Sequence, residues 1–447
     1  MSSLSERVAA AIDSNLARDV LVRLVDTPSP TGHEMAIAQV LGDIFREYKL
    51  ETRLQNIYDE RYNVVGRLSG KGGGPTLLFS GHLDTSVRGD EDYLTGIGWK
   101  NKAVVDGDWV YGNGAFNMKN GFASFVTAVA ALQSCGVELP GDIILAGTAG
   151  EIEMAPVDEF EGREYDGYGT GMWHLVSHGV AADAHVLPEP TGLNVHVGMF
   201  GTVWTKITTY GAFAHTAWSG SQPSAIKRMQ PVLQAVEAWA AGYRERNTFM
   251  GVQPAVNVAA IRGGLPWRAA RTPNICRSYV DVRVPPNVFP IDVQLELREL
   301  AASIAKREGY QVDVEFYMSR PGTLLSPSHP IVRSVAEAHQ SLTGGDPHVS
   351  FAPPFCTDAI DSNRFGIPTV VYGAGGRARS SKNSNGSADM STDARAFDGE
   401  YVSVSDVATA ARVFALTALE ICSKDRAQFI RDRRTMPAVD LEEARIS

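Results

Sequence analysis

Short apolar runs alternate with helical patterns along the first half of the chain. Continuous apolar runs occupy 76–80, 142–147 and 184–187. Runs of this length, bounded by Gly, Pro or charged residues, are typical of strands that are buried on both faces of a sheet. Amphipathic helical patterns cover 4–25, 33–48 and 121–133. This alternation predicts an α/β domain.

Polar and acidic side chains follow all three predicted strands. His82 and Asp84 follow the first, Glu151 and Glu153 the second, and Glu189 the third. In open α/β sheets, ligands bind at the carboxyl ends of the strands. One polar strand end would mean little because loops are polar anyway, but three together predict a site at this edge.

The pattern changes between residues 197 and 317. Strands are predicted over 203–210, 255–261, 276–284 and 311–317, with helices over 224–243 and 291–308. The order β-α-β-β-α-β is that of a ferredoxin-like unit. We therefore expect a main domain in two parts, 1–197 and 318–447, with an α+β domain, 198–317, inserted between them.

The second part of the main domain continues the α/β pattern. Helices are predicted over 330–342 and 403–421, and a strand over 369–372. A polar stretch rich in Ser, Asn, Ala and Arg, 377–399, predicts a long loop.

Composition narrows the class of protein. A chain of 447 residues is too long for one ordinary core, which agrees with two domains. The net charge of −10 argues against nucleic acid or an anionic membrane as the main partner. Four cysteines without a CxxC pair favour a reduced, cytoplasmic setting, and no apolar run is long enough to span a membrane.

Short motifs then follow one another in a characteristic order. They are Gly81-His82-Leu83-Asp84-Thr85, Gly114-Ala115-Phe116-Asn117-Met118-Lys119, Gly150-Glu151, Glu189-Pro190-Thr191, Gly211-Ala212-Phe213-Ala214-His215-Thr216, Asp281-Val282-Arg283 and Thr357-Asp358-Ala359. This series resembles the zinc aminoacylase/carboxypeptidase family, which includes acetylornithine deacetylase, succinyl-diaminopimelate desuccinylase and glutamate carboxypeptidase. The resemblance implies a mixed-sheet catalytic domain, an inserted ferredoxin-like lid and dimerisation domain, and a homodimer that hydrolyses amide bonds of small substrates.

The resemblance also implies roles for individual residues. Metal ligands would be His82, Asn117 and Glu189. Glu151 would be the general base, with Asp84 orienting the imidazole, and His215 would stabilise the oxyanion. Arg283 and Asp358 would lie at the substrate. Arg268 and Arg271 are two further arginines that could bind another anionic group, with a solvated basic loop as the alternative.

Three departures from the family pattern affect the metal. The bridging aspartate is replaced by Asn117, and a ligand carboxylate by Ile152. The C-terminal histidine ligand is absent, since the last histidine of the chain is His348. A neutral amide offers no charge to hold two divalent ions together. We therefore expect at most one divalent metal, zinc, and leave open that none is bound. Glu153 and Cys356 are candidate replacement ligands.

Three functions remain open on this basis. The first is an amide (C–N) hydrolase with a reduced metal site, acting on a carboxylate-bearing substrate such as an N-acyl amino acid. The second is a metal-independent enzyme on the same scaffold, for example a C–N lyase, an isomerase or a condensing enzyme. The third is a non-catalytic binding protein, which the retention of Glu151 argues against.

Overall fold

The chain divides into two compact units in a computed structural model that describes residues 3–94, 96–376 and 399–435. Of these, the first unit holds 3–197, 325–350 and the residues from 357 onward, and the second holds 198–324 and 351–356. The second unit starts at the predicted position and extends past the predicted end at residue 317. The predicted long loop, apart from Gly399, lies outside the described residues.

Eleven α-helices are described, and of these only α6 and α7 belong to the second unit. They are α1 (Leu4–Ala10), α2 (Ser14–Val25), α3 (Met35–Glu47), α4 (Asn120–Ser134), α5 (Thr170–Ser177), α6 (Ala225–Arg246), α7 (Pro290–Glu308), α8 (Pro330–Thr343), α9 (Ala359–Arg364), α10 (Val404–Cys422) and α11 (Arg426–Thr435). Within the described part of the chain, none of them is long and apolar enough to cross a membrane.

The strands of the first unit belong to one large and one small sheet. They are β1 (Glu51–Tyr58), β2 (Arg61–Leu68), β3 (Leu77–His82), β4 (Val104–Asp106), β5 (Trp109–Tyr111), β6 (Ile143–Thr148), β7 (Ala184–Leu187) and β8 (Val195–Met199), which runs into the second unit. The strands of the second unit follow: β9 (Gly201–Tyr210), β10 (Val256–Gly263), β11 (Ile275–Val284), β12 (Val312–Arg320) and β13 (Thr323–Leu324). The last three are β14 (Val349–Phe351), β15 (Thr369–Val371) and β16 (Tyr401–Ser403).

The large sheet positions the candidate site. It has nine strands, seven of which follow the order β1-β2-β6-β3-β7-β15-β8. Strand β3 pairs in parallel with both β6 and β7, while β2 joins β6 in the antiparallel sense. Every residue of β3, β6 and β7 is buried, as their continuous apolar runs predict. The mixed α/β sheet is confirmed, and the parallel strands bring their carboxyl ends to one edge.

The second unit has the predicted ferredoxin-like topology. Its four-stranded antiparallel sheet has the order β10-β11-β9-β12. The hydrophobic core combines one face of the sheet with apolar residues of both helices, among them Val203, Val232, Val280 and Leu297. Burial alternates along most of β11, as expected of a strand with one face in the core.

One predicted helix was wrong in its extent. The pattern over 4–25 forms two helices, α1 and α2, because Asp13 is extended and its side chain accepts a hydrogen bond from Asn15 N, at 2.9 Å. Aspartate is a strong N-cap residue, so it begins a new helix at this point. The β1–β2 hairpin was not predicted, since much of β1 is only partly buried.

Candidate active site

Three acid–base side chains meet at the carboxyl edge of the large sheet. His82 is the last residue of β3, and Glu151 and Glu189 follow the ends of β6 and β7. One ligand atom from each lies within 4.8 Å of the others. Within the described ranges, this is the only group of three or more His, Cys, Asp or Glu side chains so arranged. The structure therefore brings together three residues that are spread over 107 positions of the sequence.

The hydrogen bonding of His82 fixes which ring nitrogen faces the cluster. Nδ1 lies 2.8 Å from the backbone carbonyl oxygen of Asp84, and a carbonyl can only accept, so Nδ1 carries the proton. Nε2 of the neutral ring then presents a lone pair. It faces three oxygens: Asn117 Oδ1 at 3.2 Å, Glu151 Oε2 at 3.8 Å and Glu189 Oε1 at 3.8 Å. The ring nitrogen and the three oxygens are thus four acceptor atoms that lie around the same small volume.

This donor set fits a divalent cation. Glu189 is buried, and its Oε1 atom has no hydrogen-bond partner in the described structure. An unpartnered carboxylate oxygen in the interior is costly unless a cation neutralises it. One imidazole nitrogen, two carboxylates and one amide oxygen are ligands that zinc and related divalent ions accept.

Burial and charge crowding alter the acidities of the cluster. Burial, followed by the negative charge of Glu189, raises the pKa of Glu151 well above its ordinary value. Burial also raises the pKa of Glu189, against the opposing effect of His82. Burial alone would lower the pKa of His82, but the carboxylates around it outweigh that effect and raise the pKa. The electrostatic potential at the site is therefore strongly negative.

Asp84 holds the backbone that carries Glu151. Its carboxylate oxygens accept hydrogen bonds from Glu151 N at 3.0 Å and Ile152 N at 3.1 Å, and a third from Thr31 Oγ1 at 2.8 Å. The carboxylate lies 3.6 Å from Nδ1 of His82. Asp84 thus orients the imidazole through its own carbonyl oxygen, while its side chain fixes the position of the candidate base.

Glu400 holds the backbone at Asn117 in a similar way, and no sequence pattern had singled it out. Its Oε2 atom accepts hydrogen bonds from Phe116 N at 3.1 Å and Asn117 N at 3.0 Å. Glu400 is buried and directly precedes β16. The only available signal was its place in the Glu400-Tyr401-Val402 segment. The family resemblance would place the missing histidine ligand just before this segment, near 394–397, and those positions lie outside the described residues.

Asp358 lies near the cluster but outside the group of ligand atoms, and the candidate replacement ligands do not join that group either. Asp358 is buried, and its Oδ2 atom accepts a hydrogen bond from Thr148 Oγ1 at 2.9 Å. Its predicted role at the substrate stays a prediction. Glu153 is exposed and Ile152 buried, so neither joins the group of ligand atoms. The Cys356 thiol donates to Phe200 O at 3.1 Å within the second unit.

The remaining predicted residues belong to the second unit. His215 is exposed, and its Nδ1 atom accepts a hydrogen bond from Ala217 N at 3.1 Å. Arg283 donates to Asp281 Oδ2 at 2.8 Å and to Cys356 Sγ at 3.4 Å. Arg268 and Arg271 both lie over the ring of Phe213. The roles of these residues stay predictions.

Known proteins resemble the chain in sequence and in fold. The model of Peptidase family M20/M25/M40 matches residues 78–420. A succinyl-diaminopimelate desuccinylase of Corynebacterium glutamicum is 29% identical over 222 residues, which is 49% of this chain and 53% of that protein. The aligned part thus spans about half the length of that relative. The N-formyl-4-amino-5-aminomethyl-2-methylpyrimidine deformylase of Bacillus subtilis is 23% identical over 382 residues, covering 78% of this chain and 84% of that protein.

A solved structure supports the fold. The crystal structure of a tripeptidase from Staphylococcus aureus subsp. aureus Mu50 superimposes with a TM-score of 0.69 at 18% identity, covering 93% of this chain and 100% of that one. At this identity the likeness concerns the fold alone.

Proposed function

Because the chain belongs to Peptidase family M20/M25/M40, we propose that it is an amide (C–N) hydrolase that uses one divalent cation. The substrate class we propose is a small carboxylate-bearing amide, such as an N-acyl amino acid. The observation that carries the proposal is the convergence of His82 Nε2 with the oxygens of Asn117, Glu151 and Glu189. Desuccinylase and deformylase relatives both have names that denote removal of an acyl group.

His82, Asn117 and Glu189 would hold the cation, which we propose to be zinc. A divalent ion there supplies Lewis acidity, polarising the scissile carbonyl and acidifying water. Glu151 takes the proton from the attacking water and passes it to the leaving nitrogen. Its backbone is held by the carboxylate of Asp84, which keeps the carboxylate of Glu151 pointed at the cluster.

A single cation suits the donor set better than two. Two divalent ions a few ångströms apart repel one another and need anionic ligands between them. Asn117 is neutral, and Ile152 supplies an apolar side chain where the family pattern has a carboxylate. The two carboxylates within the ligand group, Glu151 and Glu189, offset the charge of one divalent ion.

The second unit supplies the proposed groups for the substrate. We propose that His215 stabilises the oxyanion of the tetrahedral intermediate, since an imidazole can donate to a developing negative charge. Arg283 is proposed to hold the substrate carboxylate through its planar guanidinium. Homodimer formation through this unit remains a prediction from the family resemblance.

The test is an assay of N-acetyl amino acids of varied side chain, before and after removal of bound metal with a chelator. We expect hydrolysis that is lost on chelation and restored by zinc. Full activity in the metal-free protein would overturn the single-cation hydrolase and favour the metal-independent alternative. Tight binding of the amides without turnover would favour the binding protein.

A further inference from the structure

Two loops of the second unit bring two guanidinium groups to one aromatic ring. The Cζ atoms of Arg268 and Arg271 lie 5.8 and 5.5 Å from the ring centroid of Phe213. Guanidinium groups stack on aromatic faces with their N–H donors directed outward around the ring edge. We call these three side chains the arginine–phenylalanine cluster.

The backbone beneath the cluster is fixed. His215 and Arg271 form an antiparallel bridge, and Thr272 N donates to Ala214 O at 2.9 Å. The buried hydroxyl of Thr272 accepts a hydrogen bond from Ala214 N at 2.9 Å. The two loops are thus joined on both sides of His215, so the arginines are attached to an ordered platform rather than to independent loops.

The charges of the cluster are uncompensated. Across the described ranges, no carboxylate pairs with Arg268 or Arg271, and their side-chain contacts are those with Phe213. This holds in a chain whose net charge is −10. Phe213 is 48% exposed, and Trp267 beside the cluster in sequence is 77% exposed. A cationic, aromatic and open surface of this kind fits a small anion.

We propose that the arginine–phenylalanine cluster binds a second carboxylate of the substrate, distinct from the one assigned to Arg283. This inference rests on the proposed function, because it names the substrate class more narrowly as dicarboxylates. Two planar guanidinium groups can each offer paired N–H donors to a carboxylate. Because both guanidinium groups already lie over the ring of Phe213, they lose less conformational freedom on binding than free arginines do.

The test compares substrates that differ only in whether the second carboxylate is present or is replaced by a neutral amide. N-acetylglutamate is compared with N-acetylglutamine. N-succinylalanine is compared with the analogue in which the free carboxylate of the succinyl group is an amide. The metal-loaded wild-type protein is compared with the double variant R268Q/R271Q. The matched control is R298Q, because Arg298 is an exposed arginine of the same unit that also lies over an aromatic ring, at 5.3 Å from the centroid of Phe316.

We expect kcat/KM of wild type to favour the charged member of at least one pair by about 10-fold or more, the order of one charged hydrogen-bonded contact. The preference should fall to about 2-fold or less in R268Q/R271Q, with the neutral substrates little affected and R298Q like wild type. A preference in neither pair, or one that survives the double substitution, overturns the inference. So does equal loss for charged and neutral substrates together with a change in oligomeric state, which would make the cluster a protein contact.

A binding measurement separates this inference from the proposed function. If the metal-loaded protein hydrolyses none of the amides, the proposed function fails. Calorimetric titration with succinate then tests the cluster alone. Binding that weakens about 10-fold in R268Q/R271Q but not in R298Q supports an anion site, and equal affinity in all three proteins overturns it.

Discussion

The two regions that carry the candidate chemistry differ most in their access to water. In the first unit, His82 is 1% exposed and Glu189 6%, whereas Phe213 of the second unit is 48% exposed. Buried acceptors cannot be satisfied by solvent, so the first region requires a cation or protons. Exposed arginines are hydrated and cost little when unoccupied. Changes in the first region should therefore affect chemistry and metal binding strongly, and changes in the second should adjust selectivity.

The largest effect is expected on kcat, when Glu151 is replaced. Replacing Glu151 with Gln removes the proposed base and should lower kcat about 100- to 10,000-fold, the usual range for such a group. The matched control is Glu153→Gln, two positions away and exposed, which should stay close to wild type. Steady-state kinetics of the zinc-loaded variants provide the measurement. Full turnover by Glu151→Gln would show that the proposed base is wrong.

The second-largest effect is expected on the affinity of the protein for zinc. Glu189→Gln removes the buried negative charge of a proposed ligand and should weaken zinc binding by at least about 10- to 100-fold, a loss that even outer partners of metal ligands can cause. Asn117→Asp adds a charge 3.2 Å from His82 Nε2 and should tighten binding. Competition with a chromophoric chelator measures both affinities. The same affinity in both variants would mean that the cluster does not hold the ion.

Glu400 tests whether the carboxylate beneath Asn117 positions the site. Glu400→Ala leaves the amides of Phe116 and Asn117 without their acceptor, which should cost about 1–3 kcal/mol of unfolding free energy. It should also weaken zinc binding about 10-fold, as loss of a supporting partner does. Glu400→Gln keeps an acceptor oxygen and should restore most of both. If the Ala and Gln variants bind zinc like wild type, Glu400 has only a structural role.

The smallest effect is expected on the pH dependence of the unfolding free energy. It depends on whether the buried His185 in the first unit can take up a proton. His185 is buried against Ser80 Oγ, at 2.8 Å from Nε2, and burial lowers its pKa to about 3. The unfolded chain takes up this proton near pH 6.5, but the folded chain does so only near pH 3, so stability falls as the pH drops through this window. The slope from this group is at most about 1.4 kcal/mol per pH unit.

His185→Gln should remove that contribution. Between pH 6.5 and 5.5 its unfolding free energy should fall less steeply than that of wild type, by up to about 1.4 kcal/mol. Urea unfolding at several pH values measures both slopes. Parallel slopes for the two proteins would mean that His185 can be protonated in the folded state.

The sequence was sufficient to predict the main strands and a site where the candidate ligands meet. The apolar runs of β3, β6 and β7 are continuous because both faces of these strands are buried. Parallel pairing of such strands brings His82, Glu151 and Glu189 together without any further information. The family motifs added the roles, and the match to the family model confirms the assignment to that family.

The supporting contacts could not be predicted, because they depend on tertiary structure. The hydrogen bonds of Glu400 join residues 283 and 284 positions apart. The carboxylate of Asp84 reaches backbone amides 67 and 68 positions away. No local periodicity encodes such pairs. The short strands β4, β5 and β16 were missed for a related reason, since three residues are too few to show a pattern.

The decisive measurement for the single-cation hydrolase is the number of cations that the protein binds. Metal-free protein would be titrated with zinc by calorimetry, and the desalted product analysed for its metal content, for wild type and Glu189→Gln in parallel. We expect one equivalent of zinc in wild type and markedly weaker binding in Glu189→Gln. Two tightly bound equivalents, or no zinc in a fully active protein, would contradict it.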